Sequence, residues 1–274
     1  MPELPEVETI RRTLIPLTVG KTIEEVQVFW PKIVQYPADV TEFAETVKGQ
    51  TIHDIERRGK FLKFMLDKHV LISHLRMEGR YAVWRKGDPA EPHTHVIFRF
   101  TDGTELRYRD VRKFGTMHLY PKGEEDGRPP LSQLGPEPFS ETFTANFLAE
   151  RLRKTNRTIK TVLLDQTVVV GFGNIYVDES LFRAGIHPER IASSLTDEEV
   201  ARLHREMVAI LQEAIEKGGS TVRSYVNTQG ESGMFQLQLF VYGRKGEPCK
   251  RCGQPIQKTV VAGRGTHYCP CCQR

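Results

Sequence analysis

The chain closes on four cysteines in the pattern Cys249-x2-Cys252-x16-Cys269-x2-Cys272, and no cysteine precedes Cys249. Two Cys-x-x-Cys turns at this separation match the spacing of a four-thiolate zinc site. Four sulfurs complete a tetrahedral shell with no open position, so the expected chemistry is structural: one Zn2+ that folds a small module. Cys271 sits too close to Cys269 to form the usual pair, which leaves Cys272 as the fourth ligand. Around the cysteines, Val241–Arg274 carries seven basic residues (Arg244, Lys245, Lys250, Arg251, Lys258, Arg264, Arg274) against the single acid Glu247. The module is therefore +6 in a chain whose total is +4, and the remainder sums to −2. Even after the −2 of a zinc tetrathiolate it stays near +4, a charge suited to phosphate.

A second chemistry lies at the other end. Pro2 follows the initiator methionine, whose removal would expose a secondary amine. An α-amino group has a reference pKa of about 7.7–8.0, and the positive end of a helix lowers it further. A neutral amine is a nucleophile that condenses with a sugar aldehyde carbon, here to a permanently cationic iminium that acts as an electron sink. Glu3 and Glu6 are near enough in sequence to move protons there.

Two basic stretches flank apolar residues: Arg57-Arg-Gly-Lys-Phe-Leu-Lys63 and Arg107-Tyr-Arg-Asp-Val-Arg-Lys-Phe-Gly115. An arginine beside an aromatic suits a loop that invades a duplex, the ring wedging between bases and the guanidinium bonding a base edge. Met77 could fill the gap left by a displaced base. Gly171-Phe-Gly-Asn174 reads as a tight turn opening a helix, which offers N–H groups to a phosphate.

The elements that must position these groups are legible in the periodicities. Residues 2–17 form a helix on the apolar stripe Val7, Ile10, Leu14 and Leu17, with Pro5 in the first turn and Gly20 at the stop. From about 22 to 121 the period changes to two, with strands at 95–100, 104–108 and 116–120 and a turn at Thr101–Thr104. This predicts a β-sandwich or barrel. Residues 122–138, rich in Pro and Gly, read as a linker. Residues 140–217 are helical, with a capping box at Thr196–Glu199 and the stripe Val200, Leu203, Met207, Ile210, Leu211, Ala214. The glycine-containing stretch 218–236 reads as a loop. No apolar run reaches the roughly 18 residues of a membrane span. The opening lacks a secretion signal, and thiols kept for zinc predict a reducing cytoplasm.

Together these residues resemble the formamidopyrimidine-DNA glycosylase family. The resemblance runs the length of the chain: Pro2-Glu-Leu-Pro-Glu-Val-Glu8, Gly59-Lys60-Phe61, Met77, Arg112 with Phe114, Gly171-x-Gly-Asn174, Ser220-Thr-x-Arg223, and Val261-x-Gly-Arg264-Gly-Thr in the finger. It implies an α+β multidomain fold: an N-terminal helix plus β-sandwich over 1–121, the linker, a helix-two-turn-helix domain over 139–237, and a zinc finger over 238–274. DNA lies in the cleft between. It implies a monomer that flips oxidised purines out of double-stranded DNA, because the sugar carbon is otherwise inaccessible. Pro2 attacks C1′, Glu3 serves as acid, Lys60 sits at the site, and Arg264 donates a proton in the later elimination. Asn174 and Arg264 grip phosphates, with His74, His93 and Lys258 as further DNA contacts. Met77, Arg112 and Phe114 fill the void, Arg112 facing the estranged cytosine. Ser220, Thr221, Arg223 and Ser224 belong to the loop over the everted base. Two alternatives remain: an endonuclease VIII-like enzyme for oxidised pyrimidines, whose opening is Pro-Glu-Gly-Pro-Glu where this chain has Leu4, and a non-catalytic damaged-DNA-binding protein.

Overall fold

The computed structural model describes residues 1–220 and 234–274. It divides into one unit over 1–132 and a second over 133–220 with 234–274.

The first unit begins with α1 (Leu4–Thr18). Glu3 caps it: its N–H donates to Glu6 Oε2 at 2.8 Å, and its carboxylate accepts the Glu6 N–H in return. This capping box satisfies two amides that would otherwise lack helical partners, and Pro5 in the first turn has no amide to satisfy. Val7, Ile10 and Leu14 are fully or almost fully buried, as their spacing predicts, and α1 packs on β3 (Asp54–Arg58) and β4 (Phe61–Met65).

Two sheets follow. One runs β1 (Ile23–Val28), β7 (Thr94–Phe100), β8 (Thr104–Arg109), β6 (Arg80–Arg85). The other runs β2 (Val34–Tyr36), β9 (Thr116–Pro121), β5 (His69–His74), β4, β3. All pairings are antiparallel except β2 with β9. Phe64, Leu71, Met117 and Leu119 of one sheet share a core with Phe98, Leu106 and Tyr108 of the other, and with α1 and α2 (Val40–Val47). Alternate residues face this core because side chains on a strand point to opposite faces. The result is the expected helix plus β-sandwich. The proline-rich stretch after β9 packs back on this unit: Leu131 is 3% exposed, the Tyr120 hydroxyl donates to Pro129 O, and Lys63 pairs with Glu125.

The second unit is helical. It holds α3 (Ala145–Arg153), α4 (Ile159–Leu163), α5 (Asn174–Ala184) and α6 (Asp197–Glu216). The Thr196–Glu199 capping box starts α6, and every residue of its predicted stripe is buried. Gly185, at φ +71°, ends α5 in the left-handed cap that glycine adopts without strain. The chain closes with the hairpin β10 (Gln257–Val261) and β11 (Arg264–Tyr268). Among the described residues no helix is long and apolar enough to cross a membrane.

Candidate active site

In the first unit the chemistry gathers at the head of α1. Pro2 is buried, and Glu3, Glu6 and Lys60 are exposed by no more than 5%. Lys60 is set by the hairpin between β3 and β4. Arg58 pairs with Phe61, which leaves Gly59-Lys60 as a two-residue turn. Gly59 has φ +56°, the value that a type II′ turn requires at its first central position. Arg57 braces this turn by donating to Gly59 O at 3.0 Å and to Glu8 Oε2 at 3.3 Å. Burial pushes the Glu8 carboxyl up, but hydrogen bonds from Arg11 and Arg12 outweigh it and hold the group below its ordinary value. The Met1 amine, one residue before Pro2, is held below its usual 8.0, first by burial and then by Lys60, while Glu3, Glu6 and Glu78 oppose. Four charged side chains thus act on the Met1 amine. His74, at the end of β5, packs edge-on against Phe61 at 4.4 Å and accepts the Arg76 N–H at Nδ1. Burial, with Arg76 and Lys60, lowers its pKa to about 3, so its ring is neutral.

Two turns carry the remaining candidates of this unit. Met77 lies half-buried in the turn between β5 and β6, next to Arg76 at φ +52°. Arg112 and Phe114 stand exposed between β8 and β9, the guanidinium 4.8 Å from the ring centroid. Phe114 is 51% exposed although large and apolar, so it is not a core residue. Phe61, by contrast, is 8% exposed and belongs to the sheet. His93 is exposed at φ +68°, and its carbonyl accepts the Asp110 N–H at 3.0 Å.

In the second unit Asn174 opens α5 behind Gly173, whose cap position brings no side chain to the helix terminus. Its Nδ2 donates to Gly265 O at 2.8 Å. Arg264 is exposed beside the Ala262-Gly263 turn, where both residues have positive φ as a type I′ hairpin turn demands. Lys258 crosses the bare face of Gly265, its Cε 3.3 Å from where a Cβ would stand. Beneath the hairpin lies a fully buried ion pair that the sequence reading does not anticipate. Lys160 Nζ lies 2.6 Å from Asp178 Oδ1, with both side chains 0% exposed, and donates also to Gly265 O at 3.2 Å. Asp178 Oδ2 accepts the His267 N–H at 2.9 Å. The neighbouring Glu179 accepts the N–H groups of Phe240, Val241 and Tyr242 at 2.8–2.9 Å. Two acids inside the apolar run of α5 were the available signal, since buried carboxylates must be paired or bonded. Ser220 is buried at the end of the described stretch, and Thr221, Arg223 and Ser224 lie outside the described residues.

The four predicted cysteines converge, with all ligand atoms of Cys249, Cys252, Cys269 and Cys272 within 4.8 Å of one another. The Cys249–Cys272 and Cys252–Cys269 sulfurs are 3.9 Å and 3.5 Å apart. Metal–sulfur bonds of about 2.3 Å in a tetrahedron give edges of about 3.8 Å, so the set fits such an ion. A backbone hydrogen bond around Gln254 draws Cys252 down to about 7, while burial pushes Cys272 up. Four crowded thiols resist joint ionisation unless a cation neutralises them. Cys271 is exposed and outside the set.

Comparison with known proteins places these features in one lineage. The formamidopyrimidine-DNA glycosylase N-terminal domain matches residues 1–117, the H2TH domain of the same family residues 134–226, and the zinc finger found in FPG and IleRS residues 246–274. The formamidopyrimidine-DNA glycosylases of Geobacillus kaustophilus and Bacillus subtilis are 71% and 63% identical, over 100% of this chain and 100% and 99% of theirs. A Lactococcus lactis Fpg in complex with abasic-site DNA superposes with a TM-score of 0.94 at 45% identity, covering 99% of both chains. A variant of that protein with DNA containing Fapy-dG gives 0.94 at 44% identity over 100% of both chains. The chain belongs to the formamidopyrimidine-DNA glycosylase family of DNA-repair enzymes.

Proposed function

We propose that the protein is a bifunctional base-excision-repair enzyme that removes 8-oxoguanine opposite cytosine and formamidopyrimidines, then cleaves the strand. The observation that carries this is Pro2, buried beside Glu3, Glu6 and Lys60 at the start of the chain, next to a Met1 amine that burial holds below its ordinary value. Removal of Met1 leaves Pro2 as the terminal amine. The neutral Pro2 nitrogen attacks C1′ of the flipped nucleotide, the N–C1′ bond forms, and the glycosidic bond breaks with its electron pair leaving on the base. The Pro2 nitrogen sheds its proton and Glu3 supplies the proton that opens the sugar; the resulting iminium acidifies C2′ for β-elimination of the 3′ phosphate, and the conjugated iminium left behind acidifies C4′ for δ-elimination of the 5′ phosphate. Arg264 serves as donor in the later step, and Lys60 keeps the site cationic beside the phosphates.

Residues 1–121 would carry the chemistry, 139–237 the helical DNA-binding domain, and 238–274 the finger. Asn174, Arg264, Lys258, His74 and His93 contact the duplex, Met77 with Arg112 and Phe114 fills the void, and Ser220, Thr221, Arg223 and Ser224 cover the everted base. Cys249, Cys252, Cys269 and Cys272 hold one structural Zn2+. That solved relatives are described with abasic and Fapy-dG DNA supports the substrate class.

Borohydride trapping tests the reading. The enzyme should form a covalent adduct on an 8-oxoguanine:C duplex and far less on thymine glycol. Pro2→Gly should lose most strand cleavage while keeping lesion affinity, and Glu3→Gln should likewise bind without excising. Preference for thymine glycol would make it a pyrimidine enzyme, and absence of any adduct would make it a binder.

A further inference from the structure

Tyr108 occupies an unusual place. It is 0% exposed at the end of β8, opposite Tyr81 of β6, yet its hydroxyl sits against the backbones of two different turns. A Cβ on Gly79 would lie 2.2 Å from this oxygen, and a Cβ on Gly115 only 1.8 Å away. Real Cβ atoms do not approach so closely, so both positions exclude any side chain while the phenol is present. Gly79 closes the turn that carries Met77, held by its N–H to Leu75 O at 2.9 Å. Gly115 closes the turn that carries Arg112 and Phe114.

Asp110 completes the arrangement. Its carboxylate is 1% exposed and lies within the second turn. Oδ1 accepts the Arg112 N–H at 3.0 Å, and Oδ2 accepts those of Phe114 and Gly115 at 2.9 and 2.8 Å. The Tyr108 hydroxyl reaches the same Oδ2 at 3.5 Å. The Asp110 carbonyl meets His95 Nε2 at 2.8 Å, and its N–H reaches His93 O at 3.0 Å. One carboxylate thus shapes the exposed turn from inside, and one phenol holds that turn in register with its neighbour.

Resting on the function proposed above, we infer that Tyr108 and Asp110 are positioning residues that make the Met77 turn and the Arg112–Phe114 turn a single wedge. Met77 and Phe114 then enter the duplex together, and the contact of Arg112 with the opposite base depends on Met77 being seated. The two turns contribute cooperatively because neither can shift without moving the oxygen between them.

A double-mutant cycle reads this coupling directly. Affinity is measured for a duplex containing a tetrahydrofuran abasic analogue, opposite cytosine and opposite adenine. Met77→Ala, Phe114→Ala and the pair are made in the wild type and in Tyr108→Phe, which keeps the ring and removes only the oxygen. In the wild-type background the combined effect should depart from the product of the single effects by about fivefold or more, as contacts sharing one support do. In Tyr108→Phe the departure should fall below about twofold, the range of independent sites. Asp110→Asn sets an NH2 against one of its N–H donors whichever way it turns, and should lower cytosine-over-adenine selectivity by about tenfold. Should Asp110→Asn fail to fold, the Tyr108→Phe cycle decides. Multiplicative effects in the wild type, or full coupling surviving in Tyr108→Phe, overturn the inference. Borohydride trapping by the same wild-type preparation on 8-oxoguanine:C separates that outcome from failure of the functional reading, since an absent adduct rejects the enzyme and leaves the cycle without its premise.

Discussion

Replacing Lys160 with Met tests how the second unit holds its finger hairpin. Lys160 Nζ serves Asp178 Oδ1 at 2.6 Å and Gly265 O at 3.2 Å in a fully buried setting. Methionine fills similar volume without charge. It leaves the Asp178 carboxylate buried against the His267 N–H at 2.9 Å, and of the two side-chain donors described at Gly265 O it keeps Asn174 and removes Lys160. Breaking a buried pair by removing one partner costs about 3–5 kcal/mol, because the stranded charge keeps its desolvation penalty. That is a large share of a total stability of about 5–15 kcal/mol. With a urea dependence of about 1–3 kcal/mol per molar, the unfolding midpoint should drop by at least about 1 M. Lys160→Met with Asp178→Leu should recover most of the loss, since apolar replacement of both partners removes the stranded charge. The functional consequence follows from position: Gly265 adjoins Arg264, so Lys160→Met should also weaken binding to all duplexes and reduce the salt slope by about one unit. A single variant with a midpoint within about 0.3 M of wild type, or a double variant no better than the single, would refute the reasoning.

Cys249→Ser or Cys269→Ser should release the metal and abolish DNA binding without unfolding residues 1–132, because metal binding supplies about 10–16 kcal/mol to isolated fingers; purified protein that lacks zinc yet retains full activity would contradict this. Arg112→Ala should cost about 1–3 kcal/mol of discrimination between cytosine and adenine opposite the lesion, whereas Arg264→Ala should weaken every duplex alike. Equal losses on both opposite bases for Arg112→Ala would reassign it to phosphate or packing. His74 supplies a pH dependence. Its folded pKa, about 3, lies below the ordinary 6.5, so its stability contribution is present above 6.5 and is lost as pH falls toward 3, with a slope of up to about 1.4 kcal/mol per pH unit. The difference in unfolding free energy between wild type and His74→Gln should therefore narrow on acidification; a gap that stays constant would show that folding does not lower the ring's pKa.

Several parts of the molecule were readable because they depend on near neighbours. The helix at 2–17 and the box at Thr196–Glu199 rest on contacts three or four residues apart, and the structure returns Leu4–Thr18 and Asp197–Glu216. Strands at 95–100, 104–108 and 116–120 rest on alternation, and appear as Thr94–Phe100, Thr104–Arg109 and Thr116–Pro121. The stretch 122–138 was harder. Its prolines and glycines correctly forbid long helices and strands, but composition cannot show Leu131 buried or Glu125 paired with Lys63.

Residue type and short spacing were enough to read the four-cysteine set, the proposed Pro2 nucleophile and the arginine with its aromatic, because each rests on neighbours in the chain. What holds these groups in place became visible in the folded chain alone. Lys160 sits on a five-residue helix and resembles a surface lysine until Asp178 and Gly265 close over it from 18 and 105 residues away. Tyr108 resembles any strand aromatic until Gly79 and Gly115, from different turns, are found against its oxygen. Such contacts leave no periodic trace, since chain separation sets neither their distance nor their direction; the fold brings them together only after each element has buried its own apolar face.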